Sequence, residues 1–131
     1  MIGIDTNVLV RFITEDNRQQ WALAVDLLNQ LSPKNPGWVS LVTAVELEWV
    51  LSRSYRMKRA DVVICYQMLL QVEDLRFEYR EFLERALESY ERSSAGLGDH
   101  VIAMGGRESG CSATFTFDKD AARAAGMTLL G

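Results

Sequence analysis

The sequence predicts an α/β fold: a mostly parallel central sheet of about five short strands, flanked by about six or seven helices. Three observations carry this. The chain opens on an apolar run, "MIGI", halted at once by Asp5, Thr6 and Asn7, which is the pattern of a short strand bounded by small polar residues. Through the middle of the chain, segments with apolar residues at helical spacing alternate with short apolar runs. Near the C-terminus, "SATFTF" and "MTLL" repeat the strand pattern on either side of a short helical segment. Parallel strands need a crossover between them, and a helix is the usual one.

Each element can be justified in order. A carboxylate at the C-terminal end of the first strand is notable, because open α/β sheets build their sites at that end, and the strand is expected at the centre of the sheet. "VLVRFIT" is too short to assign by periodicity. Asp16 or Asn17 then offers an N-cap for "QQWALAVDLLNQL", whose apolar residues Trp21, Ala24, Val25, Leu28 and Leu31 form a helical stripe. "SPKNPG" stops that helix, since Pro33 and Pro36 lack donors and Gly37 permits a turn. "WVS" is a short strand, and Ser40 or Thr43 caps the helix carrying "AVELEWVLSRSY". Val42, Val45, Trp49 and Val50 are expected on its apolar face, widened by Leu47 and Leu51. "RADVVICYQMLLQ" makes a further helix, hairpinned to the previous one through the basic turn "YRMKR", and "EDLRFE" a short strand. "YREFLERALESYER" places Tyr79, Phe82, Leu83, Ala86, Leu87 and Tyr90 at helical spacing. "SSAGLG" ends it and delivers Asp99 at the start of "DHVIAMGGRES".

A length of 131 residues suits one domain, spanning 1–131, and 48% hydrophobic with 24% charged residues is a folded composition. No apolar stretch is long enough for a membrane span, and no export signal precedes Ile2, so the cytoplasm is the expected location. Cys65 and Cys111 lack ligand or redox spacing and read as inert small residues. A net charge of −4 argues against a protein that simply coats nucleic acid. Against that average, "RSYRMKR" gathers Arg53, Arg56, Lys58 and Arg59 around Tyr55, either a solvated helix end favoured by the helix dipole or a phosphate-contacting patch with a ring for stacking.

Most of the acidic residues decorate helix surfaces among basic neighbours. Four do not. Asp5 and Asp118 directly follow strands, Asp99 opens a helix, and Glu46 lies mid-helix between Val45 and Leu47. Singly, each has an ordinary structural reading as a turn residue, an N-cap or one half of an ion pair. Jointly, parallel strands send their C-terminal ends to one edge, where gathered carboxylates repel and raise each other's pKa. A hard divalent cation, Mg²⁺ or Mn²⁺, removes that conflict, and one histidine with two scattered cysteines gives no competing zinc set. Thr6, Asn7 and Thr116 are suited to orient carboxylates or water beside them. His100 faces another direction from Asp99 along the helix and reads as a surface or packing residue.

Taken together, "IDTNVLVR", "ELEWVL", "GDHVIA" and "TFDKDAA" resemble, in order along the whole chain, the motifs of the PIN-domain nucleases, and in particular the VapC toxins of toxin–antitoxin pairs. The resemblance implies a PIN-like three-layer fold and metal-dependent hydrolysis of RNA phosphodiester bonds. It assigns Asp5, Glu46, Asp99 and Asp118 to the family's acidic quartet, as catalytic residues and as ligands of Mg²⁺ or Mn²⁺, directly or through water. Thr116 and Thr6 become supporting hydroxyls and Asn7 a structural polar partner. It further implies a homodimer and a small VapB-like antitoxin that blocks the site.

Many relatives carry an extra acidic residue just before the third-motif aspartate, where this chain has Gly96, Leu97 and Gly98; Asp120 is a peripheral late candidate. Rival readings fare less well. Haloacid-dehalogenase-like phosphoryl transfer wants a second aspartate two residues after the first, and that place holds Asn7. A receiver module wants an acidic pair at the first strand end, and the pair is missing, although Lys119 sits near the right place. The alternative from another class is a catalytically silent interaction module that keeps the fold and binds a protein or RNA partner.

Overall fold

The structure, a computed structural model, describes residues 1–131. In chain order the elements are β1 (Ile2–Gly3), α1 (Thr6–Thr14), α2 (Arg18–Asn29), β2 (Gly37–Val39), α3 (Leu41–Arg53), α4 (Arg59–Leu70), β3 (Leu75–Phe77), α5 (Arg80–Glu91), α6 (Leu97–Glu108), β4 (Phe115–Thr116), α7 (Lys119–Ala125) and β5 (Thr128–Leu129). Five short strands and seven helices confirm the α/β class, and all strand pairs are parallel. The strands form two sheets rather than one, of order β1-β2-β3 and β4-β5. The residues fall into two compact units, Met1–Arg80 and Glu81–Gly131.

In the first unit, β2 is the middle strand, pairing Gly37 with both Ile2 and Leu75. The expectation that the first strand is central is therefore corrected: within its sheet β1 is an edge strand. The approach at Gly37 is close, since a Cβ there would stand 3.0 Å from the side chains of Leu31 and Leu75. Asn17, not Asp16, caps α2, its Oδ1 accepting from Gln20 N at 3.0 Å. Ser40 caps α3 by accepting from Thr43 N at 3.0 Å. The segment that periodicity left unassigned is α1, and it packs against both α2 and α3. Rich in β-branched residues, it has weak intrinsic helix preference, so packing sustains it.

The apolar face of α3 is also corrected. The buried residues are Ala44, Leu47, Glu48 and Leu51, whereas Val42 is 74% and Trp49 57% exposed. Because α3 carries apolar residues almost all round, the sequence could not say which stripe faces in. The packing of α4 decides it, as Tyr66, fully buried on α4, donates its hydroxyl proton to Ala44 O. The expected α3–α4 hairpin is present, turning through residues 54–58 with Arg56 at a left-handed φ of 51°.

In the second unit, Leu83, Ala86, Leu87 and Tyr90 of α5 are buried as the stripe predicts; Tyr79, at the end of the first unit, lies before the helix and is exposed. Ala103, Ala121 and Met127 form a small cluster joining α6, α7 and the approach to β5. Gly126 ends α7 at φ 75°, a conformation that costs glycine no Cβ clash.

Candidate functional site

Asp5 leaves β1 in extended conformation and stands as N-cap of α1, its Oδ1 accepting from Thr6 N at 2.7 Å. The chain turns there because a short side-chain acceptor satisfies a helix donor that would otherwise be free. Thr6, Asn7 and Arg11 follow on the first turns of α1. Glu46 comes from the exposed side of α3. These elements enclose a cleft of about 330 Å³ whose walls include Asp5, Thr6, Asn7, Arg11, Glu46 and Tyr55. Two predicted acids and both predicted supporting residues of α1 therefore meet in the first unit.

Three features of this cleft bear on its chemistry. Glu46 is exposed and makes no ion pair, so its reading as one half of a salt bridge does not hold. Thr6 Oγ1 is buried without a hydrogen-bond partner, in a residue only 5% exposed. Such an orphan costs about 1–3 kcal/mol unless something else satisfies it, and it belongs to a residue of the cleft wall. Finally, the donors offered are carboxylate, hydroxyl and amide oxygens, the hard set that Mg²⁺ and Mn²⁺ select, and Mg²⁺ commonly takes only one or two carboxylates alongside water. The oxygen donors of the cleft are thus of the kind a hard divalent cation takes, while the structure gathers no group of three or more acidic, histidine or cysteine side chains that could hold a metal ion.

Arg11, in the cleft wall, and Asp16, bonded to it, are not site candidates in the sequence alone. Arg11 Nε donates to Gln20 Oε1 at 2.6 Å, and Nη1 donates to Asp16 Oδ1 at 3.0 Å and to Tyr55 OH at 3.3 Å. Tyr55 in turn donates to Asp16 Oδ2 at 2.8 Å, and Thr14 Oγ1 donates to Asp16 Oδ1 at 2.9 Å. Donation from the Tyr55 and Thr14 hydroxyls holds the Asp16 carboxyl below its ordinary 3.8 against the opposing effect of desolvation, with a lesser contribution from the Arg11 charge. A sign of Arg11 lay in its spacing of one helical turn from Asn7, but it is legible only once α1 is known to be a helix. Glu78 was also passed over: its Oε1 accepts from Leu41 N at 2.9 Å, serving the first turn of α3.

The second unit uses its acids locally. Asp99 Oδ2 accepts from Gly96 N at 3.1 Å, reaching back over the first turn of α6. Asp118 caps α7, its Oδ1 accepting from Asp120 N at 2.8 Å and Ala121 N at 3.1 Å. Thr116 Oγ1 accepts from Asp118 N at 3.0 Å, bracing the residue that follows β4. Asp120 accepts from Ser94 Oγ at 2.9 Å and Arg123 Nη2 at 2.7 Å. His100 is a packing residue, buried with Nε2 2.6 Å from Ser93 Oγ.

Of the basic segment, Arg53, Arg56 and Lys58 are exposed and Arg59 is half-buried at the start of α4. Arg53 lies over the Trp49 ring, 5.9 Å from its centroid, and the Tyr55 hydroxyl is engaged with Asp16. Cys65 is buried, and that burial, with help from Asp61, raises its thiol pKa, while Cys111 is exposed. No helix is long and apolar enough to cross a membrane.

No curated protein matches the chain significantly. The family model for the PIN domain, in contrast, matches residues 2–127, running from the first strand to the approach of the last and across both compact units. Nuclease activity and the use of divalent metals are general to that family. Matched over nearly its whole length, the chain belongs to the PIN-domain family.

Proposed function

We propose that this protein is a Mg²⁺- or Mn²⁺-dependent endoribonuclease, acting as the VapC-type toxin of a toxin–antitoxin pair and held inactive by a VapB-like antitoxin. One observation carries the reading: in a chain of this family, Asp5 and the unpaired Glu46 line one cleft with Thr6, whose buried hydroxyl has no protein partner. A cleft serving only the fold would gain nothing from leaving that group unsatisfied.

When bound, the metal neutralises phosphate charge and lowers the pKa of water at the site. The protein's own contribution is positional. Asp5 is set by its bond to Thr6 N, which uses Oδ1; Oδ2 would be the oxygen to hold a cation. Glu46, with no cationic partner, takes the proton of the attacking water or serves as a ligand through water. Thr6 Oγ1 and Asn7 orient that water or the Asp5 carboxylate. The family pattern assigns Asp99 and Asp118 as further metal ligands, with Thr116 supporting Asp118. Arg53, Arg56, Lys58 and Arg59 contribute phosphate contacts, and their exposure suits that role.

The homodimer implied by the family draws support from exposed apolar residues on the α3–α4 hairpin, namely Val42 and Trp49 on α3 and Ile64 and Met68 on α4. Incubation of the purified protein with structured RNAs and Mg²⁺ or Mn²⁺, beside Asp5→Asn and Asp99→Asn, tests the activity. Cleavage lost in both variants supports the nuclease. RNA binding without cleavage by the wild type supports the silent interaction module instead. Growth arrest on expression, relieved by the same variants and by co-expression of a neighbouring antitoxin, tests the toxin role.

A further inference from the structure

We propose that Arg11 is a substrate-binding residue: through Nη2 it holds a nonbridging oxygen of the RNA phosphodiester, in an orientation set by Gln20, Asp16 and Tyr55. The inference rests on the nuclease reading and adds to it the group that receives the substrate's phosphate.

A cleft carrying Asp5 and Glu46 repels a phosphodiester, and Arg11 is the one cationic side chain in its wall. Hydrogen bonding then sets the geometry. Gln20 occupies Nε, Asp16 and Tyr55 occupy Nη1, and no protein group takes Nη2. A guanidinium pinned at two nitrogens presents the third with its direction already set, and the ordering cost of binding falls accordingly. Its side chain is 33% exposed, so it is reachable by ligand yet shielded enough for a charged hydrogen bond to matter.

Asp16 balances the positive charge of Arg11, so the pair adds little long-range field. What it supplies is a directed donor. That predicts a contact sensitive to the stereochemistry and charge of one phosphate and only weakly sensitive to salt. The competing account is that Arg11 merely ties α1 to α2 through Gln20. A tie of that kind does not require the hydroxyl of Tyr55, reaching in from beyond α3, to hold both Arg11 and Asp16.

The test uses the full chain, Mg²⁺ and a fluorescein-labelled single-stranded oligoribonucleotide of mixed sequence, alongside copies with one neutral methylphosphonate placed at successive positions. In the wild type, one position weakens binding most. In Arg11→Ala, affinity for the parent RNA falls about tenfold or more, and the methylphosphonate penalty at that position collapses. Arg11→Lys does not restore it, because an ammonium cannot keep the fork held by Gln20 and Asp16. Tyr55→Phe, which removes one hydroxyl and leaves the packing ring, raises KM about threefold with kcat unchanged and the protein still folded.

A folded Arg11→Ala protein that keeps the wild-type methylphosphonate penalty overturns the inference and makes Arg11 a helix tie. If Arg11→Ala does not fold, an unchanged KM and penalty in Tyr55→Phe overturns it instead. Wild-type protein that neither binds nor cleaves RNA removes the nuclease reading, and the inference falls with it. Wild-type cleavage with Arg11 variants indistinguishable from it removes the inference alone.

Discussion

Asp5 and Asp118 stand in the same local setting, separated by one residue from the end of a parallel strand and at the N-cap of the next helix, yet the two halves of the chain use them differently. Asp118 gives one oxygen to two donors, Asp120 N and Ala121 N, and its strand neighbour Thr116 is satisfied against it. Asp5 serves a single donor, Thr6 N, and the hydroxyl beside it is buried with no partner. Folding thus accounts for Asp118 Oδ1 and for the hydroxyl beside it, whereas the hydroxyl beside Asp5 is left over. A carboxylate at a strand end is therefore weak evidence of function by itself; the unsatisfied polar atom beside it is the stronger sign.

Four measurements can break or sharpen this contrast. The largest effect is expected at Asp5. Asp5→Asn keeps an acceptor for Thr6 N, so the melting temperature should barely move while metal-dependent RNA cleavage falls by about a hundredfold or more. A large loss of stability with cleavage intact would reverse the assignment. At Asp118, stability should respond first: Asp118→Ala loses both cap bonds and about 1 kcal/mol by denaturant melting, whereas Asp118→Asn keeps them and isolates any effect on cleavage.

Thr6 gives a smaller effect of opposite sign. Thr6→Val removes a hydroxyl that no protein group satisfies, so stability should hold or rise by up to about 1 kcal/mol while cleavage declines. Stability lost on this change would mean that the hydroxyl does structural work. The smallest effect concerns Asp16, whose pKa in the fold lies below the unfolded value. Its contribution is therefore fully present above pH 3.8 and lost as the pH falls through the lower folded value. The stability difference between wild type and Asp16→Asn should accordingly be present at neutral pH and shrink in acid; a difference that grows on acidification would contradict the hydrogen bonds to Tyr55 and Thr14.

Much of the fold was legible because its information is local. The stripes of α2 and α5, the stop at Pro33–Gly37 and the caps at Asn17 and Ser40 depend on neighbours within a few residues. The failures have a common cause. Helix α1 has no strong local preference and is held by α2 and α3, so a window of its own residues could not reveal it. On α3 apolar residues face nearly every direction, so the sequence offered Val42 and Trp49 where the structure buries Ala44 and Leu47. In the sequence Glu46 stands out only as a carboxylate between the apolar Val45 and Leu47. In the structure it is exposed on the side of α3 opposite the buried stripe, which is what makes it accessible to the cleft.

By itself, then, the sequence determined the α/β class, the parallel strands, the strand-end positions of Asp5 and Asp118 and the motif order that marks a PIN domain. These follow from hydrophobic period and turn chemistry, which act over a few bonds. Only the tertiary structure decided that Glu46 shares a cleft with Asp5, that Thr6 Oγ1 is left without a partner, and that Arg11 is clamped by residues as distant in sequence as Gln20 and Tyr55. Those depend on which helix faces pack together, and hydrophobic burial, being non-directional, does not write that choice into any single segment.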